Sequence, residues 1–171
     1  MNKILIAGLF LLTGVLQACA NDSTQQKTGV TADNQLKLPA GFTATVVADK
    51  LGRARHIAVN SNGDVYVKLE RLKDGKGIIR LRDTNGDGVA DEQFAFCNYA
   101  GTGIAISNGY LYASSNSEVY RYKFNAKNEI ENPDNPEIIV TGLVDKRQHA
   151  SKSITLDGKG SIYVNIGAPS N

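Results

Sequence analysis

From Leu38 onward, short runs of apolar residues alternate with polar ones, are broken by glycine-bearing turns, and recur. Three segments share one pattern: an apolar triplet, a turn, then an apolar-Tyr-small step. They are Ile57-Ala58-Val59 with Val65-Tyr66-Val67, Ile104-Ala105-Ile106 with Leu111-Tyr112-Ala113, and Ile154-Thr155-Leu156 with Ile162-Tyr163-Val164. The turns between them are Asn62-Gly63, Asn108-Gly109 and Asp157-Gly158-Lys159-Gly160, which is hairpin chemistry. The three tyrosines stand 46 and 51 residues apart, and a period of roughly 40–50 residues with several strands per unit is that of propeller blades.

Further strands are expected between these pairs. Ile78 to Leu81 and Glu118 to Phe124 supply third strands, and Gln93 to Cys97 and Glu137 to Val140 supply outer, fourth strands. Phe42 to Val47 also alternates like a strand and has no unit of its own. In a closed ring it would complete the last blade. The expectation is an all-β chain holding about two and a half blades of a truncated β-propeller; a compact β-sandwich of the same strands is the alternative.

The N-terminus reads differently. Lys3 precedes an apolar run from Ile4 to Val15 that is too short for a permanent membrane span. Leu16-Gln17-Ala18-Cys19 follows, and it resembles the lipobox of bacterial lipoprotein signals. Residues 1–19 are therefore expected to be a signal, with Cys19 lipidated and the chain anchored to a membrane of the cell envelope. Residues 20–37 are polar, as a flexible tether would be, and residues 38–171 form the domain. The formal charge of +2 gives no field that would select a nucleic acid. With Cys19 so used, Cys97 has no partner, and its setting after Phe94-Ala95-Phe96 favours burial.

Two stretches carry candidate chemistry. Asp83-Thr84-Asn85-Gly86-Asp87-Gly88-Val89-Ala90-Asp91 spaces oxygen ligands at positions one, three, five and nine, with glycine at six, as in an EF-hand loop. Asp83, Asn85, Asp87, Asp91 and the Val89 carbonyl are thus candidate calcium ligands. Position twelve is Phe94 where a glutamate would stand, so weak binding is expected, and an ordinary turn is the alternative. The second stretch is Gln148-His149, just before Ser153-Ile154-Thr155-Leu156. A neutral imidazole at a strand mouth suits a general base near pH 7. His56 reads as a packed or turn residue, and Arg53, Arg55, Lys146 and Arg147 as solvated loop residues.

Taken in order, LPAGF, RHIAVNSNGDVYV, LRDTNGDGVADE, GTGIAISNGYLYA and QHASKSITLDGKGSIYVNIGAPSN resemble the soluble quinoprotein glucose/sorbosone dehydrogenases. That resemblance covers about residues 38–171 and implies a six-bladed propeller using pyrroloquinoline quinone (PQQ) and calcium to oxidise a sugar or aldehyde. It implies His149 as the catalytic base and Gln148 and His149 as the residues beside the cofactor. Two departures bear on substrate. Gly167 is followed by Ala168 where the glucose-oxidising members carry an acid, which is closer to the sorbosone branch. Ala100-Gly101-Thr102-Gly103 stands where those members place a glutamine. A non-catalytic surface propeller that binds a glycan or a protein is the rival reading, since the fold hosts many functions.

Overall fold

The computed structural model describes residues 36–146 and 150–167, and these contain ten strands and no helix. β1 (Ala54–Val59), β2 (Val65–Lys73), β3 (Lys76–Arg82) and β4 (Glu92–Phe96) form one sheet in the order β1-β2-β3-β4. β5 (Ile104–Ser107), β6 (Tyr110–Ser114), β7 (Val119–Lys123) and β8 (Glu137–Val140) form a second in the order β5-β6-β7-β8. β9 (Lys152–Leu156) and β10 (Ile162–Ile166) make a two-stranded hairpin. Every paired neighbour is antiparallel, so each unit is a meander that runs outward from its first strand.

The repeat is realised as expected: each apolar triplet lies in a first strand and each tyrosine step in a second. The turns work because glycine takes positive φ where a side chain would be strained, as at Gly63 (φ 89°) after β1. Successive first strands lie side by side, β1 against β5 and β5 against β9, and the sheets do not close into a ring. The sheets therefore stack face to face as neighbouring blades.

Alternation along β2 decides what each face buries. Tyr66 joins Ile78 and Phe96 in packing on Leu111, Ala113, Tyr122 and Phe124 of the second sheet. Val67 and Leu69 turn the other way and pack with Ile79 and Leu81, covered by Ala48 and Leu51. A third cluster joins Tyr112 and Val119 to Ile154 of the hairpin. Asp64, buried at the start of β2, accepts two hydrogen bonds of 2.7 Å from the guanidinium of Arg82 and locks the β1–β2 turn to the end of β3.

Phe42 to Val47 departs from expectation. It contains a single bridge residue, Thr45, and no strand, and Phe42 is 70% exposed. The segment instead runs beside the β3–β4 loop, where the Ala90 amide donates to the Val47 carbonyl at 2.8 Å.

Candidate functional site

Antiparallel pairing places the two candidate stretches at opposite ends of the sheets. Val65 opposite Leu81 puts the β1–β2 turn and the β3–β4 loop at one end. The first strands begin at the other, and there β1, β5 and β9 are stitched together. The Gly103 amide donates to Ser114 Oγ at 3.0 Å, and that hydroxyl donates to the Lys152 carbonyl at 2.6 Å. His56 Nδ1 lies 3.2 Å from the Thr102 carbonyl, which ties β1 to the start of β5. His56 is thus an exposed strand residue that bridges two sheets.

Glycine at 103 is dictated by this stitching. A Cβ there would lie 2.5 Å from both the Lys152 carbonyl and Ser114 Oγ, inside van der Waals contact. Thr102 is buried at this mouth, and its hydroxyl finds no partner among the described residues. Gln148 and His149, the expected base and cofactor contact, lie outside the described residues, as does Cys19. The chain resumes at Ala150 and enters β9 with Lys152 fully buried.

At the far end, the loop from Asp83 to Asp91 is held by its own oxygens. Asp83 Oδ1 accepts from the amides of Asn85 and Gly86, and Oδ2 from Gly88. Asn85 Oδ1 accepts from the Asp87 amide, and Asp87 Oδ1 from the Val89 amide. Asp91 accepts from the Thr84 amide and hydroxyl and from the Asn85 side chain. The Gly88 amide is the main reason that Asp83 sits below the usual carboxylate range; for Asp91 it is the Thr84 amide. Among the described residues no three His, Cys, Asp or Glu side chains converge as they would around a metal. The spacing noted in the sequence is present, and its oxygens are turned onto the loop's own donors.

One cluster escaped the sequence reading. Lys68 of β2 points from the Tyr66 face into the seam between the two sheets and is 0% exposed. Its ammonium donates to the Tyr99 carbonyl at 2.8 Å, lies 4.1 Å from the centre of the Tyr99 ring and reaches Cys97 Sγ at 3.8 Å. Burial pulls its pKa down to about 8, since desolvation disfavours the charged amine. The signal was a charged residue at a position whose period-2 neighbour, Tyr66, belongs to the core. Cys97 is buried, as its setting suggested.

The domain matches the TrAA12-like family over residues 36–171. Among solved structures, it resembles the calcium structure of the Trichoderma reesei family AA12 carbohydrate-active enzyme. That match has TM-score 0.60 and 24% identity, covering 74% of this chain and 32% of the other. It also resembles the holo PQQ domain of a pyranose dehydrogenase from Coprinopsis cinerea, with TM-score 0.65 and 17% identity, covering 78% and 32%. The chain thus spans about a third of the length of these proteins. At such identities the likeness is one of fold, antiparallel sheets stacked as the blades of a PQQ domain. No curated protein matches the chain. By the extent of the family match, the chain belongs to the TrAA12-like family.

Proposed function

We propose that this chain is part of a PQQ-dependent oxidoreductase that acts on a sugar or an aldehyde, with its reacting centre at the mouth of β9. The observation that carries the reading is the family match across residues 36–171. The likeness to a pyranose dehydrogenase PQQ domain supports the cofactor, and Ala168 after Gly167 favours an aldehyde of the sorbosone type over glucose. The mouth fits a polar cofactor in one observed respect: the buried Thr102 hydroxyl there is unpaired among the described residues, and a buried hydroxyl normally has a partner.

PQQ, when bound, supplies the two-electron acceptor. The chain's own part is positional and protic. The Gly103–Ser114–Lys152 stitch fixes where β9 begins, three residues after His149. His149 takes the substrate's hydroxyl proton on a neutral ring nitrogen, and Gln148 beside it offers an amide to the cofactor. Calcium enters with the cofactor, and weakly at the Asp83–Asp91 loop.

The test is His149→Ala in the longest natural form of the protein, loaded with PQQ and calcium. Turnover of an aldose or aldehyde in a dye-reduction assay is expected to fall roughly 10²–10⁴-fold, with PQQ still bound by absorbance. Turnover within a few-fold of the unaltered protein removes the base from His149. An unaltered, loaded protein that reduces no dye with any sugar or aldehyde sinks the reaction class.

A further inference from the structure

Cys97 and Lys68 form an enclosed nucleophile pair that the proposed oxidation does not use. The thiol and the amine share one acceptor: Lys68 Nζ donates to the Tyr99 carbonyl at 2.8 Å and Cys97 Sγ donates to the same oxygen at 3.4 Å. That common acceptor holds nitrogen and sulfur 3.8 Å apart, and among the described residues no carboxylate stands beside the amine to hold it protonated. The pair is pinned from three sides. Cys97 adopts φ 57°, a left-handed conformation that fixes the direction of its side chain as the chain leaves β4. Gly77 of β3 lets this turn approach, since a Cβ there would stand 2.0 Å from the Tyr99 carbonyl and 3.1 Å from Cys97 Sγ. The ring of Tyr99 stacks on Tyr120 at 4.1 Å and closes over the amine.

The residue is nevertheless not walled off. Cys97 also lines a cleft of about 400 Å3 between the two sheets, walled by Tyr120 and Tyr122, which is ample for a molecule the size of a peroxide. We propose that Cys97 and Lys68 are a modification site, at which peroxide oxidation of the thiol is captured by the neighbouring amine as a sulfur–nitrogen cross-link. Hydrogen peroxide is the oxidant. The thiol gives up its proton and attacks as the thiolate, the O–O bond breaks, and Cys97 becomes a sulfenic acid while the departing hydroxide takes that proton and leaves as one water. The neutral Lys68 amine then attacks that sulfur, the S–O bond breaks, and the hydroxyl leaves with an amine proton as a second water. The product is a sulfenamide in which sulfur has lost two electrons and peroxide has gained them. The depressed pKa of Lys68 supplies the neutral amine near pH 8. The bond would join β2 to the β4–β5 connection across the seam.

The experiment exposes the purified full chain to hydrogen peroxide, digests it under non-reducing conditions and analyses the peptides by mass spectrometry. The expected product is a single species in which the peptides holding residues 68 and 97 are joined, two hydrogens lighter than their sum, and separated by dithiothreitol. Cleavage after Lys68 by trypsin is lost in the same species. Lys68→Met, with its thermal midpoint recorded to show that it folds, is expected to carry Cys97 onward to sulfinic acid. The unaltered protein already decides the matter without the variant. Cys97 recovered as sulfinic acid and unjoined, or recovered as free thiol when the urea-unfolded chain is oxidised under the same exposure, overturns the proposal.

Discussion

The first sheet and the β9–β10 hairpin are built from the same repeat and end up unlike. Tyr66, Tyr112 and Tyr163 occupy equivalent places in β2, β6 and β10, yet they are 0%, 7% and 57% exposed. Around Tyr66 the seam is aromatic and dense: Phe96 and Phe124 meet its ring edge-on, and Phe96 meets Tyr122 the same way. Around the hairpin, Ile154 is buried, Ile162 and Val164 are half-buried, and Ile166 is exposed. A repeat therefore specifies strands, while burial is specified by how many sheets stand against each face. The first seam has a complete four-stranded sheet on both sides. Among the described residues the hairpin has such a neighbour on one side only.

The largest test of that contrast is truncation of the equivalent tyrosines. Tyr66→Ala is expected to cost about 3–5 kcal/mol of unfolding free energy, the range for emptying a large aromatic site in a packed core. Tyr163→Ala should stay within about 0.5–1 kcal/mol, as exposed substitutions do. Urea unfolding of the two variants decides it. Equal losses would mean that the hairpin face is covered as fully as the first seam.

A smaller effect concerns the charge in the first seam. The folded state holds Lys68 at about pH 8 against an ordinary 10.5, so the buried ammonium opposes folding fully below pH 8. Between those values the unfolded chain binds more protons, and stability should rise with pH as that opposition is relieved. The informative window is about pH 8 to 9.5, read as the difference between the unaltered protein and Lys68→Met because an unfolded thiol also titrates there. Beyond it the tyrosines begin to titrate, and burial lifts Tyr66 to about 12. Lys68→Met should remove the rise in that window. An unchanged slope in thermal midpoint against pH would show that the amine is solvated, and would also deprive the cross-link of its neutral nucleophile.

Much of this architecture was legible from the amino acids, and its failures have physical causes. Strands and turns could be placed because period-2 alternation and turn glycines are local. Phe42 to Val47 misled because alternation states only that a segment is able to pair, while the chain lays this one beside the β3–β4 loop and not along a sheet edge. Lys68 was passed over because its flanks, Val65-Tyr66-Val67 and Leu69, completed an apolar strand around it. Its meaning appears only when Cys97 and Tyr99, some thirty residues on, fold across it. At the strand mouth the glycines were visible, but the Ser114 hydroxyl that requires one of them at 103 comes from another strand.

The smallest effect is expected where the sequence was most suggestive, in the loop at the end of the sheets away from the β9 mouth. Asp83 to Asp91 has calcium spacing, yet its carboxylates are spent on backbone amides within the loop and are exposed. Such a loop keeps its shape without a metal, so Asp87→Ala should shift stability by no more than about 0.5 kcal/mol in chelator. Each carboxylate still has lone pairs beyond those its amide donors occupy, so the ion can be admitted by small rotations of side chains already gathered in one turn. With no bidentate glutamate at Phe94, binding should fall in the weak range of about 10⁻⁴–10⁻³ M. Raising calcium to several times that range should lift the midpoint of the unaltered protein by RT ln(1 + [L]/Kd) and leave Asp87→Ala behind. Identical calcium responses in the two proteins would reduce the loop to a turn that holds itself, and the contrast between a dense seam and a self-sufficient loop would then need no ion.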